Sequence, residues 1–281
     1  MLKFTETYNK IITEYSEIQK RFQNITLAIV PGSFKPPHKG HWEMIMEYAQ
    51  KADKVLVLIS NVSSESNSNR PLSKSFILSL SKILNKYSIE NDKALSIINN
   101  IKNNPDTLTL ASLKKNIKAL SSYLDENSDM YKELIAFMKK VESSIYKSIR
   151  YTASGNEISP KTSKQIFDIF IKAYGLDHKI IVEIADKASP MSSAVPIIND
   201  DCENCKIILG CSNKDNDASR WHSFLPSFNI ENNNEFIEEC VNVQSSISST
   251  TIRNNISNLQ RDWFPSNISD EDFNIIKSLL Q

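Results

Sequence analysis

Two apolar runs rich in β-branched residues, "ITLAIV" (25–30) and "KVLVLIS" (54–60), enclose the helical-looking stretch "HWEMIMEYAQKA". Strand, loop, helix, strand is a βαβ unit, and parallel strands joined in this way need helices to cover them. The theme continues downstream with "KIIVEIA" (179–185), "KIILGCS" (206–212) and a weaker run, "CVNVQ" (240–244). The segments between them, "MSSAVPIIND", "DASRWHSFL" and "STTIRNNISNL", read as helical. Buried strands alternating with helices predict an α/β chain whose parallel sheet of about five strands is covered on both faces. Right-handed crossovers put the carboxyl ends of the strands along one edge, and open α/β sheets bind ligands there.

Between Leu72 and Ala173 the pattern changes. Serine, asparagine and lysine dominate, while apolar residues in "FILSLSKILNKY", "TLASLKKNIKALSSYL" and "YKELIAFMKKVESSIY" fall at helical spacing. Sustained amphipathic periodicity separates this stretch from a disordered one. The expected organisation is an N-terminal helix over 1–24, an α/β body over 25–71 and 174–281, and a helical insertion over 72–173 between the second and third strands. The N-terminal stripe of Phe4, Tyr8, Ile11, Tyr15, Ile18 and Phe22 suits a brace or an oligomer contact.

Composition narrows the partners. The 281 residues carry 33 basic and 33 acidic side chains, so the net charge of zero leaves no global footprint for nucleic acid or an anionic membrane. A small molecule met at a local site is the expected partner. With no apolar stretch near the ~20 residues of a membrane span and no continuous apolar leader, a cytoplasmic setting is expected. Cys202, Cys205, Cys211 and Cys240 would then be reduced thiols. "CENC" lacks the second pair that a tetrahedral zinc site needs, and no metal ligands are assigned to protein side chains.

The chemistry concentrates in "PGSFKPPHKGH", Pro31 to His41. The whole chain has five glycines and four histidines, and two of each fall in this stretch. Gly32 lets backbone N–H groups approach a ligand, the prolines stiffen the path, and Gly40 permits close packing where the helix begins. A helix N-terminus presents N–H donors and partial positive charge to an anion. His38 and His41, three residues apart, lie on one side of that first turn and add donors aimed at the same point. The guest this combination suits is a phosphate.

"GSFKPPHKGH" resembles the GxFxPxHxGH signature of the HIGH-motif nucleotidyltransferase superfamily, and "ISSTTIR", Ile247 to Arg253, resembles its ISSTxIR element. The resemblance covers about Leu27 to Ser60 and Lys179 to the end. It implies a Rossmann-like sheet and transfer of a nucleotidyl group from an NTP to a phosphate-bearing small acceptor, releasing pyrophosphate, with Mg²⁺ bridging the departing phosphates. By the same resemblance His38 and His41 are catalytic, assisted by Lys35 as a point charge. Gly32, Ser33, Phe34, Gly40, Ser248, Ser249, Thr250 and Arg253 bind the nucleotide. The complete ISSTTIR points toward ATP and nicotinamide mononucleotide, with a CTP-using cytidylyltransferase as the alternative. A non-catalytic nucleotide-binding module with the insertion as its docking surface is a second class, and an aminoacyl-tRNA-synthetase-like enzyme a third that lacks its KMSKS segment.

Shorter segments, "KASPMSSAV" and "ILGCSNKDNDASRW", resemble nucleotidyltransferase-like domains of phage and large-virus proteins. Lys214, Asp215 and Arg220 could touch substrate at the sheet edge or form a solvated loop and helix cap. Trp221 could stack a ring or belong to the core, and Arg70 could bind a phosphate or merely precede a helix.

Overall fold

The computed structural model of the chain describes residues 20–213 and 219–281, so Lys214 and Asp215 and the expected helix stripe before Lys20 lie outside the described residues. The chain divides into two compact units, Met1–Asn61 with Thr152–Ser154 and Pro160–Gln281, and Val62–Tyr151 with Gly155–Ser159. In chain order the elements open with β1 (Phe22–Gln23), β2 (Thr26–Gly32), α1 (Lys39–Lys51) and β3 (Lys54–Ile59). Helices α2 (Ser64–Ser68), α3 (Lys74–Lys86), α4 (Asp92–Asn103), α5 (Leu110–Leu120) and α6 (Asp129–Tyr146) follow. The chain continues with α7 (Pro160–Tyr174), β4 (Ile180–Ile184), α8 (Pro190–Pro196), β5 (Cys202–Glu203) and β6 (Lys206–Ser212). It ends with β7 (Glu235–Val241), α9 (Ser249–Asn254) and α10 (Asp270–Leu280).

Five strands pair in parallel in the order β4-β3-β2-β6-β7, a Rossmann-like α/β sheet. Central β2 and β3 are buried on both faces, which is why they read as unbroken apolar runs. Leu27, Ile29, Leu56 and Leu58 pack with Met191 and Ala194 of α8 and with Trp221 and Phe228. The alternate side chains face α1 and α7, which pack on β2, β3 and β4. Burial of this kind contributes about 1.5–3 kcal/mol per large apolar side chain. All carboxyl ends therefore share one edge, the one that receives the loop after Gly32.

Several expectations shift. Phe22 and Gln23 do not continue a helix; they pair in parallel with Cys202 and Glu203, and Asn24 turns the chain at φ 54°. The last strand runs from Glu235 to Val241 rather than 240–244. It is an edge strand whose "EFIEECV" keeps polar residues on a half-solvated surface, so it lacks the continuous apolar run of its neighbours. Residues 220–224 form turns, not an α-helix. Cys211 and Cys240, register partners on β6 and β7, are joined in a disulfide, whereas Cys202 and Cys205 are buried thiols. Strand pairing brings together two residues 29 apart in sequence, which spacing alone could not reveal.

Tyr48 ties α1 to this part of the sheet. Its hydroxyl lies 2.7 Å and 2.6 Å from the carbonyl oxygens of Cys211 and Glu239 and accepts the Cys211 N–H at 2.9 Å. Burial pushes the phenol up to about 12 against the opposing pull of the Cys211 N–H, which favours the phenolate.

The second unit is helical, with Leu113, Ile117, Leu134, Phe137 and Val141 among its buried residues. Thr109 and Ser112 form a reciprocal capping box at the start of α5. Helix α7, read from sequence as part of the 72–173 insertion, belongs to the sheet unit, because its Ile166, Phe167, Phe170 and Ile171 are buried against the body. Among the described residues no helix is long and apolar enough to cross a membrane.

Candidate functional site

The site begins where β2 runs out. The Gly32 carbonyl accepts the Ser60 N–H at 2.8 Å, and the chain then folds back so that the Phe34 ring lies over Gly32. A Cβ on Gly32 would meet Phe34 ring carbons at 2.5 Å, so only glycine fits. Phe34 itself sits at φ 50°, an uncommon conformation for a bulky residue, held by edge contacts to His41 (5.0 Å) and Phe167 (5.2 Å). The peptide Lys35–Pro36 is cis.

His38 is the N-cap of α1. Its backbone is extended at φ −152°, and its Nδ1 accepts the Gly40 N–H at 3.1 Å. A ring that accepts through Nδ1 carries its proton on Nε2 in the neutral form, so His38 presents an N–H donor from that atom. Its ring stacks on His41 at 3.8 Å with a 31° tilt, and the two imidazoles stand at the first turn of a thirteen-residue helix. The capping role escaped sequence reading, since histidine is not among the usual N-cap residues.

The second motif docks on the first across more than 200 residues. Ser248 caps α9 by accepting the Thr251 N–H at 3.1 Å. Ser249 Oγ donates to the Pro36 carbonyl at 2.9 Å, and Arg253 Nη1 donates to the Lys35 carbonyl at 2.6 Å. Arg253 Nη2 also donates to Thr250 Oγ1 at 2.8 Å, and the Arg253 carbonyl accepts the Ala153 N–H at 2.8 Å. Gly40 faces the loop that leads into α9, for a Cβ there would stand 3.2 Å from Val243 Cγ1 and Ser245 Cβ. Glu43 Oε2 accepts the Ser245 N–H at 2.9 Å. A cavity of about 310 Å³ opens alongside, lined by Lys39, Trp42, Glu43, Tyr174, Asn242 and Gln244 among others.

Other candidates fall differently. Ser33 is exposed and Gly32 half-buried, but Lys35 is 2% exposed, so its ammonium is not a surface charge at the loop. Trp221, expected either to stack a ring or to belong to the core, is fully buried and donates from Nε1 to the Gly210 carbonyl at 3.2 Å, which makes it a core residue. Arg220 is half-buried beside it. Arg70 lies in the helical unit and donates to Asn67 Oδ1 at 2.8 Å. Among the described residues no group of three or more His, Cys, Asp or Glu gathers as a metal site. Burial pushes the Cys202 thiol up to about 12, which makes it a poor thiolate ligand.

Residues 29–76, which carry the second half of β2, the loop, α1 and β3, match the family described as cytidylyltransferase-like. No curated protein matches the chain. Among solved structures, the chain is 13% identical to a bifunctional NMN adenylyltransferase/ADP ribose pyrophosphatase from Francisella tularensis, with a TM-score of 0.44 over 90% of this chain and 49% of that one. The same enzyme complexed with AMP and Mn ion gives 12% identity and a TM-score of 0.42 over 90% and 48%. The chain thus spans about half the length of these structures. A phage or viral type finds no support among them.

Proposed function

We propose that the chain transfers a nucleotidyl group from an NTP to a phosphate-bearing small molecule, releasing pyrophosphate. The observation that carries this reading is the joint between the two motifs: Arg253 and Ser249 bind the carbonyls of Lys35 and Pro36. Hydroxyls and a guanidinium from one end of the chain thereby stand beside the stacked imidazoles at the start of α1. Backbone N–H groups of that helix and the His38 Nε2–H suit α- and β-phosphate oxygens.

An acceptor phosphate oxygen attacks the α-phosphorus in line, the bond from that phosphorus to the bridging oxygen breaks, and pyrophosphate leaves with the electron pair. The task of the protein is to hold the reacting groups and to donate hydrogen bonds to charge that builds on the leaving phosphates. Because His38 Nδ1 accepts the Gly40 N–H, the neutral ring donates through Nε2. A Mg²⁺ ion carried by the nucleotide would neutralise phosphate charge. ATP with nicotinamide mononucleotide is the pair proposed first; the cytidylyltransferase-like match over 29–76 favours CTP as the alternative.

His41→Ala is expected to lower turnover by about 100-fold or more with the circular dichroism of the wild type retained. Pyrophosphate release from each NTP, with nicotinamide mononucleotide and other phosphorylated acceptors, identifies the pair. Equal turnover of mutant and wild type with a productive pair refutes the assignment.

A further inference from the structure

Resting on that reading, we infer that Glu43 is a positioning residue: it fixes the loop 242–247 against α1 and so sets the geometry in which the nucleotide is bound. Glu43 lies two residues beyond His41 on α1, and its Oε2 accepts the backbone N–H of Ser245 at 2.9 Å in a half-buried setting. The same loop presses on Gly40 from Val243 and Ser245, each 3.2 Å from where a Cβ would stand. Further along, Ser245 Oγ accepts the Ile247 N–H at 3.3 Å, and the next residue, Ser248, is the cap of α9. A continuous path of contacts thus runs from the first turn of the histidine helix to the start of the second motif.

Glu43 also faces the cavity, where it stands with Lys39 and Trp42 on α1 opposite Asn242 and Gln244 of the loop. The Glu43–Ser245 bond ties these two walls together. Releasing it lets the loop move and leaves the Ser245 N–H without this acceptor. Binding then has to order the loop first, which weakens affinity and leaves the chemical step as it was.

The test compares the full-length wild type with Glu43→Ala and Glu43→Gln. Glu43→Ala is expected to raise the KM for the NTP, and its Kd by calorimetry, about tenfold while kcat stays within about twofold. Amide exchange across 243–247 should quicken. Glu43→Gln retains an acceptor oxygen and should restore both readouts to within about twofold. Should Glu43→Ala fail to fold, Glu43→Asp, which withdraws the carboxylate by one methylene, is expected to show the same loss in smaller degree. Unchanged NTP affinity in a folded Glu43→Ala protein, or a loss confined to kcat, overturns the inference while leaving the proposed function standing. A wild type that binds no NTP overturns both.

Discussion

Two carbonyl oxygens, on Lys35 and Pro36, fix how the histidine loop meets the rest of the sheet unit. Each accepts from a side chain of the 249–253 segment, and a charged donor contributes about 1.5–3 kcal/mol where it cannot be replaced by water. Arg253→Ala should therefore do two things at once: weaken NTP binding by about tenfold or more, and accelerate exchange in residues 34–38. Calorimetry and hydrogen exchange on one sample check both, and intact affinity would remove Arg253 from the site. Gly32→Ala tests the other side of the loop. The added Cβ would lie 2.5 Å from a ring that His41 and Phe167 hem in, so a loss of about 1–3 kcal/mol in denaturant unfolding is expected. Sequence reading could single out Gly32, His38, His41 and Arg253, because glycine, imidazole and guanidinium have few other reasons to gather in such patterns. It could not find Glu43, whose partner is 202 residues away and is a backbone N–H that any residue but proline would offer.

At the scale of elements, the strands that were legible are the ones buried on both faces, where every position must be apolar. β7 is expected too late in the chain, at 240–244, because its solvent-facing positions carry glutamates, and α7 is read with the insertion because an amphipathic stripe does not say what it will pack against. Tyr48 links two elements that were legible with one that was not. Its folded pKa, raised to about 12, stands above the ~10 of an unfolded tyrosine. Its contribution is therefore complete below pH ~10 and is lost as pH rises toward 12, amounting to roughly 3 kcal/mol over the window. Tyr48→Phe should flatten the fall of stability between pH 10 and 12 by about one proton. An identical slope in wild type and mutant would show that another group governs that range.

The whole molecule is two units, each with a hydrophobic core of its own. Leu113, fully buried in the helical unit, is expected to cost about 2–5 kcal/mol when changed to alanine. NTP affinity, measured well below the mutant's melting temperature, should stay within about twofold, since the proposed nucleotide groups all belong to the sheet unit. A proportional loss of affinity would make the helical unit part of the binding machinery. Sequence announced both cores through their periodicity; it gave no means of choosing the helix α7 side of the boundary.

The bond between Cys211 and Cys240 has a practical side as well. Of the four cysteines in the chain, two are paired and two are free, so a thiol titration of the unfolded protein should count two before treatment with a dithiol and four after it. A preparation kept in reductant and one left in air are therefore different chemical species, two hydrogen atoms apart in mass. Cys211 is also the residue whose N–H and carbonyl both meet the Tyr48 hydroxyl, so the history of a sample is written next to the anchor of the histidine helix. Batch records of reductant belong beside every activity measured on this protein.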